Sequence, residues 1–539
     1  MKNPFRRTFL VFLCLAGHYT LAFAQVPKIT ISPELDIDKN KSFQSHLYSD
    51  LSGHYLFFED GFSRNGFGPN GSAMRVFIDK YDPDFKLLFS KKYELEYNGV
   101  NSWGVRYFNG QFLWLFSETN KKQKYLRYNL MPIDLNGVKA KPLELIQQPY
   151  EIYDDKLIPN WNISKDSTKL LFTAIHDIDS RKLPFTVFIS VLNKDLSVNW
   201  SRKISLTYTE KQVDVLGTIL KNDGSVFMVA KVLKHKGGNE FVRPQDIKKL
   251  DDYEVRLFHY TKEDDQPIEY KIQLGDSKIR NAALETDQND DLKCAGLYFE
   301  EKESNIRGLF FFSLNHNGQI QTNNKKPFTD AQLKQFGKRN TEKEFNGIYG
   351  LENSFDVTNF LIRPDGSAYI VIENNFGYRT TYSNGFSASF ASSTEYYSRD
   401  IIVFDINSAG EIERTSILAK DQHTPKPNYF LSHVSLLDGN DLVFFYNEDK
   451  DNMAKPINTS KPKTISSFND CVTVMTILTP DGKLNRSPLF EARDFESLFI
   501  PIKSTLFEGN KLFFTTSRRR LFSETVFRFG VVSLPNGKK

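Results

Sequence analysis

Cysteine is scarce: three residues in 539, at Cys14, Cys294 and Cys471. A disulfide framework of the kind that staples small exported domains is therefore excluded. Cys294 and Cys471 fall in different repeats of the pattern described below, so two buried free thiols are expected. No apolar run after Phe23 is long enough to cross a bilayer as a helix. An excess of one charge sign is also missing. The formal net charge is +4, and no basic footprint for nucleic acid is present.

The motifs of several chemistries are absent as well. No G-x-S-x-G elbow, HExxH pair or EF-hand loop occurs. Asp177-x-Asp179 and Glu448–Asp451 are acidic but lack the calcium-loop spacing, so no metal and no cofactor are expected. The Gly-rich stretch Phe62–Met74 lacks the GK[ST] ending of a phosphate loop and reads as a hairpin loop. Arg518-Arg519-Arg520 reads as a solvated hairpin tip. Asn70, Asn162 and Asn458 begin glycosylation sequons that matter only in a host that glycosylates. Nothing here gives a compelling reason to expect an enzyme. Paired carboxylates from separate repeats would leave no local signature.

What is present begins with a leader. Lys2, Arg6 and Arg7 precede the apolar Thr8–Phe23, and Ala22-Phe23-Ala24 forms a small-x-small cleavage site before Gln25. Residues 1–24 are read as a signal peptide and 25–539 as the mature chain, placed in the periplasm or outside the cell. Loss of the leader's three positive charges leaves a near-neutral protein.

Apolar residues make up 40% of the chain and aromatic residues 14%, enough for a large core. They are organised by one recurring unit, a polar turn followed by a strand-forming run. It reads LSGHYLFFE at Leu51–Glu59, FNGQFLWLFSE at Phe108–Glu118 and KNDGSVFMVAKV at Lys221–Val232. Later copies include RPDGSAYIVIEN at Arg363–Asn374 and LDGNDLVFFYNE at Leu437–Glu448. The turn positions Gly53, Gly110, Ser167 and Gly224 are spaced by 57 residues, and the later steps are 67 to 75. A fixed period of this length marks a repeat architecture. Each period also holds a second hairpin signal, as in MPIDLNGVKAKPLEL at Met131–Leu145 and ILTPDGKLNRSPLF at Ile477–Phe490.

Four strands per repeat, A to D, predict an all-β chain: a single β-propeller of about eight four-stranded blades, with seven as the alternative. The last repeat, from Leu498, lacks its D strand, and KITISPEL at Lys28–Leu35 is free to supply it. The ring is therefore expected to close by pairing the N-terminal strand with the last blade, which removes exposed strand edges. The period exceeds WD40 and kelch lengths, and the Gly-His…Trp-Asp signature is absent. PNWNISKDSTKLLFTA at Pro159–Ala174, with the similar RPDG and KNDG turns, resembles the short repeat of TolB-type and tricorn-type propellers. That resemblance implies a propeller and no functional residues.

The A–B and C–D turns are short and share one face. The other face collects the long connections at 62–74, 234–252, 328–354, 374–400 and 447–470. The segment DAQLKQFGKRNTEKEF within 328–354 is expected to form a short helix. Growth on one face of a rigid scaffold points to a binding surface. Within 374–400, Tyr378, Arg379, Tyr382, Phe386, Tyr396 and Tyr397 are interleaved with small polar residues, the composition of adaptable binding loops. Trp103 and Trp161, near the starts of A strands, are further candidates. For each aromatic the competing reading is packing against a neighbouring loop or blade. The expected function is binding or scaffolding of a protein or glycan partner through the long-loop face. A polysaccharide hydrolase or lyase, and a structural component of a cell-envelope complex, are the alternatives.

Overall fold

The turn-and-strand units fold as antiparallel sheets of four, each adding its strands in chain order from A to D. The structure, a computed structural model, describes residues 27–534 apart from 36, 39–40, 61–73, 96–98, 121, 150–156, 177–182, 235–252, 302, 344–348, 384–389, 425–429, 466–469, 508–509 and 520–524. The leader and most of the 62–74 and 234–252 connections therefore lie outside the described residues. Blades 1 to 7 span Lys41–Leu95, Val100–Pro149, Leu157–Thr209, Val213–Ile272, Lys278–Pro327, Phe355–Leu418 and His433–Glu491.

Blade 8 is assembled from both ends. Lys511–Arg519 and Thr525–Ser533 form B and C, and Lys28–Ile31 pairs with C in the register Ile29↔Val532. The expected closure is present. The A strand of blade 8 departs from expectation, because a 3-10 turn at Pro501–Lys503 divides it into Leu498–Phe499 and Thr505–Phe507. Proline has no N–H to give to a ladder, which makes it a natural break. Lys503 turns inward at that break and donates to the carbonyls of Phe43 (3.2 Å) and Gln44 (2.5 Å), tying blade 8 to blade 1.

Middle strands are buried on both faces, so they read as apolar runs rather than alternations. Strand B of blade 4, VFMVAKVL, is an example. Each of the eight blade interfaces holds its own apolar cluster. The closing interface joins Phe43 and Phe58 of blade 1 to Phe513 and Phe529 of blade 8. Cys294 and Cys471 are free and buried, as expected, and burial pushes both thiols up.

The repeated turn works because its last residue adopts positive φ. Gly53 sits at φ +131°, where an added Cβ would meet the Tyr81 carbonyl oxygen at 1.8 Å. Ser167 takes the same place in blade 3 at φ +57°. On the opposite face, Asp330–Phe336 forms the expected helix, capped by Thr329 and Gln332. It is shorter than the segment suggested. Gly337 ends it, and Thr341–Lys343 pairs with Tyr349–Leu351 instead.

Candidate functional site

The 374–400 connection is built as an extension of blade 6. Strand B runs Ala368–Ser383 and strand C runs Phe390–Ile406, and their pairing continues outward as far as Ser383↔Phe390. A further strand, Gln422–Thr424, pairs with strand C and widens the extension to three strands. Phe376, Tyr397 and His423 occupy facing positions on these three strands. Their rings stack in a column, at 4.8 Å and 10° between Phe376 and Tyr397 and at 4.5 Å and 20° between Tyr397 and His423.

Charged groups frame the column. The Arg399 guanidinium lies over Phe376 (4.8 Å) and Tyr397 (5.5 Å). Glu395, two residues before Tyr397, accepts from the tyrosine hydroxyl at 3.1 Å and contacts His423 Nε2 at 2.8 Å. The hydrogen bond from His423, then that from Tyr397, holds the Glu395 carboxyl below its usual range. Partial burial and then Glu395 push the Tyr397 phenol up. Glu395, His423 and Arg399 each keep about 30% of their side-chain surface open.

Beneath this extension lies a buried charge cluster. Glu373, at the base of the long strand B, is fully buried. Its Oε1 accepts from Lys420 Nζ (2.8 Å), Ser398 Oγ (2.9 Å) and His433 Nδ1 (3.1 Å). Its Oε2 accepts from Asn375 Nδ2 (2.7 Å) and from the Ser432 hydroxyl. A carboxylate only accepts, so His433 Nδ1 carries the proton. Burial alone would raise the Glu373 pKa, but Lys420 and then His433 hold it well below the usual carboxylate range. Lys420 is also fully buried and donates to Ser398 Oγ and Gln422 Oε1.

These residues come from strands B and C of blade 6, the segment after its D strand and the entry to blade 7. The cluster therefore fixes two blades and two long connections at once. Arg339 and Asn340, following the short helix, extend it by donating to Asp400 at 2.9 and 2.7 Å. On blade 7, Asn452 anchors the 447–470 connection through Glu448 Oε1, Lys463 N and Lys463 O. Buried polar networks of this kind rigidify what they support, and in this one His433 Nε2 and Asn340 Oδ1 are left without a partner among the described residues.

The sequence candidates divide accordingly. Tyr396 and Tyr397 lie on strand C of the extension, and Tyr397 is the centre of the column. Tyr378, Arg379 and Tyr382 lie on strand B, but their side chains are outside the described residues, as is all of Phe386. Trp161 is 6% exposed and packs between blades 2 and 3, with Arg106 over its ring at 5.1 Å. Trp103 is 38% exposed and donates its indole N–H to Ser117 Oγ at 2.9 Å. The extension does not bring either tryptophan to the column. Sequence reasoning missed Glu373, Lys420, His423 and His433. A usable signal existed for Glu373: a charged residue inside the apolar run AYIVIEN requires a buried partner.

No protein-family model matches the chain. No curated protein is similar to it either. Among solved structures, the β-propeller domain of the Trilobed protease from Pyrococcus furiosus aligns at 9% identity over 87% of this chain and 100% of that one, with a TM-score of 0.33. A protein of unknown function from Dyadobacter fermentans aligns at 7% identity over 95% and 100%, with a TM-score of 0.30. A polysaccharide lyase of family PL25, an ulvan lyase, aligns at 10% identity over 79% and 90%, with a TM-score of 0.35. The propeller assignment rests on the strand pairing and blade count described above.

Among the described residues no group of three or more His, Cys, Asp and Glu side chains is arranged to hold a metal ion. The blade 6 extension offers a three-stranded surface of half-exposed rings with one guanidinium and one carboxylate beside them. Such a surface can pack against apolar groups and pair with charges of either sign.

Proposed function

We propose that this chain is an exported binding or scaffold propeller whose partner meets the long-loop face through the blade 6 extension. The ring column carries this reading. Phe376, Tyr397 and His423 stack face to face, so both faces of Tyr397 are closed and the sheet presents mainly ring edges. Sugars pack on open aromatic faces, whereas ring edges beside Arg399 and Glu395 suit a protein surface. A protein partner is therefore favoured over a glycan. The buried cluster below supports the same reading, because a rigid base lowers the entropy lost when a surface is engaged.

Elimination of an acidic polysaccharide is the second reading, and one observation favours it: Tyr397, His423 and Arg399 meet although 26 residues separate the first two. In that chemistry the guanidinium would neutralise a uronate carboxylate while one ring group removed the C5 proton, the C4–O glycosidic bond broke to leave a C4=C5 double bond, and the departing oxygen took a proton from the other ring group. The state of the two ring groups weighs against it. The Tyr397 phenol is shifted away from ionisation, and His423 Nε2 is engaged by Glu395.

The test uses purified 25–539 carrying a photo-crosslinking residue at Thr394 on the extension or at Ile320 on the opposite face. A single protein species crosslinked from Thr394 and not from Ile320, and lost in R399A, is expected. Crosslinking that is equal from both positions refutes the assignment of the face. The same protein is screened on a glycan panel and on uronate polymers, with ultraviolet detection of unsaturated product. Glycan binding lost when residues 378–397 are replaced by a Gly-Ser linker would substitute a glycan for the protein partner. Product formation would establish the elimination reading.

A further inference from the structure

The A strands of blades 3 to 7 line an open cavity of about 490 Å³ in the channel, at the short-turn face and thus away from the blade 6 extension. Its walls include Ile163, Leu284, Ile362 and Leu437, at or near the ends of four of these strands. Aliphatic walls of this kind bury a branched side chain and offer no aromatic face for a sugar ring. The volume lies within the ~300–1,000 Å³ typical of small-molecule sites.

Two opposite charges meet on the wall. Lys165, in the A–B turn of blade 3, reaches past blade 4 to donate to the Thr286 carbonyl of blade 5 at 2.5 Å. Glu285 accepts the Thr286 N–H on Oε1 at 2.9 Å. Its Oε2 has no hydrogen-bond partner among the described residues. Burial raises the Glu285 pKa, opposed by the Thr286 N–H and by Lys165, so a cation beside this carboxyl would be welcome. Asn162 and Thr218, bonded to each other at 3.3 Å, supply neutral hydrogen-bonding groups on the same wall.

We propose that this end of the channel binds a small zwitterion with a branched aliphatic side chain, in the class of free amino acids and dipeptides. The ligand carboxylate sits on Lys165, its ammonium on Glu285 Oε2, and its aliphatic part against the Ile and Leu wall. The site is independent of the long-loop face and of any partner there.

Calorimetric titration of the 25–539 protein with leucine and Leu-Leu tests the assignment, with K165M, E285Q and L437F as variants. Leu-Leu is expected to bind, and K165M and E285Q each to weaken it about tenfold or more, the scale of losing one charged partner. E285Q does not weaken 4-methylpentanoate, whose carboxylate needs only Lys165, and K165M weakens 3-methylbutylamine less than it weakens 4-methylpentanoate. L437F, which fills the cavity without altering charge, abolishes binding of all four probes. Thermal denaturation confirms that each variant is folded, and the remaining variants decide the outcome if one is not. Absence of binding at millimolar leucine and Leu-Leu overturns the proposal, as does wild-type affinity in folded E285Q and L437F.

Discussion

Replacing Lys420 by Met lowers the unfolding free energy by about 3–5 kcal/mol, the cost of leaving a buried charge without its partner. Glu373 would remain fully buried with His433 and three uncharged side chains as its hydrogen-bonding partners. Neutralising both ends is expected to cost far less than neutralising one, because the desolvation penalty disappears with the charges. The double variant E373Q/K420M should therefore recover much of the loss, since the introduced amide oxygen still accepts from Ser398 and His433. Urea unfolding of the wild type, both single variants and the double variant gives the coupling directly. A loss below about 1 kcal/mol in K420M would mean that Lys420 and Glu373 reach water in solution. Loss of binding at the blade 6 extension should accompany the loss of stability, since the cluster supports its base.

Acid weakens the ring at its closing interface. His46, on strand A of blade 1, is 5% exposed and stacks on Phe513 of blade 8 at 4.2 Å and 12°. Its Nε2 shares the Ser49 hydroxyl with His54 Nδ1, at 2.7 and 2.6 Å. Burial, then the neighbouring His54, lowers its pKa from 6.5 to about 3. The unfolded chain therefore takes up this proton first as pH falls below 6.5, while the folded chain stays neutral down to about 3. Stability is fully present above 6.5 and is lost across that window, by about 2.7 kcal/mol at roughly pH 4.5. His46→Phe keeps the stack on Phe513 and removes the proton site. Its stability is expected to fall less steeply than the wild type between pH 6.5 and 4.5. Parallel curves for the two proteins would show that His46 titrates normally in the fold.

The ring was legible because each of its parts is local. Polar turns such as Lys221–Gly224 and Arg363–Gly366 need a residue at positive φ, and the apolar runs after them mark middle strands. The missing D strand of the last blade and the unassigned strand at Lys28 implied each other. The break at Pro501–Lys503 follows from a single proline inside an otherwise strand-like run. The site was less legible because its contacts cross between blades. Lys420 meets Glu373 across 47 residues, and Lys165 meets Thr286 across 121. No spacing rule links such positions. Tyr397 was found through the composition of its segment. His423 was not, because Gln422–Thr424 is too short to read as a strand. Trp161 follows the competing reading given for it, an aromatic residue that packs between blades.

Closure of the ring sets which loops share a face and whether the channel exists. Ile29 and Val532 face each other across the closing pair, three positions along the ladder from the hydrogen-bonded Ser32–Phe529 pair. The alternation of antiparallel pairs makes theirs a non-hydrogen-bonded pair, about 4.5 Å between Cα atoms and within reach of a disulfide. The decisive measurement is oxidation of the Ile29→Cys/Val532→Cys variant, followed by non-reducing electrophoresis. The buried Cys294 and Cys471 stay silent. An intramolecular crosslink formed in the native protein, with a raised Tm, is predicted. A folded protein whose two new thiols remain free and titratable would contradict closure by the N-terminal strand.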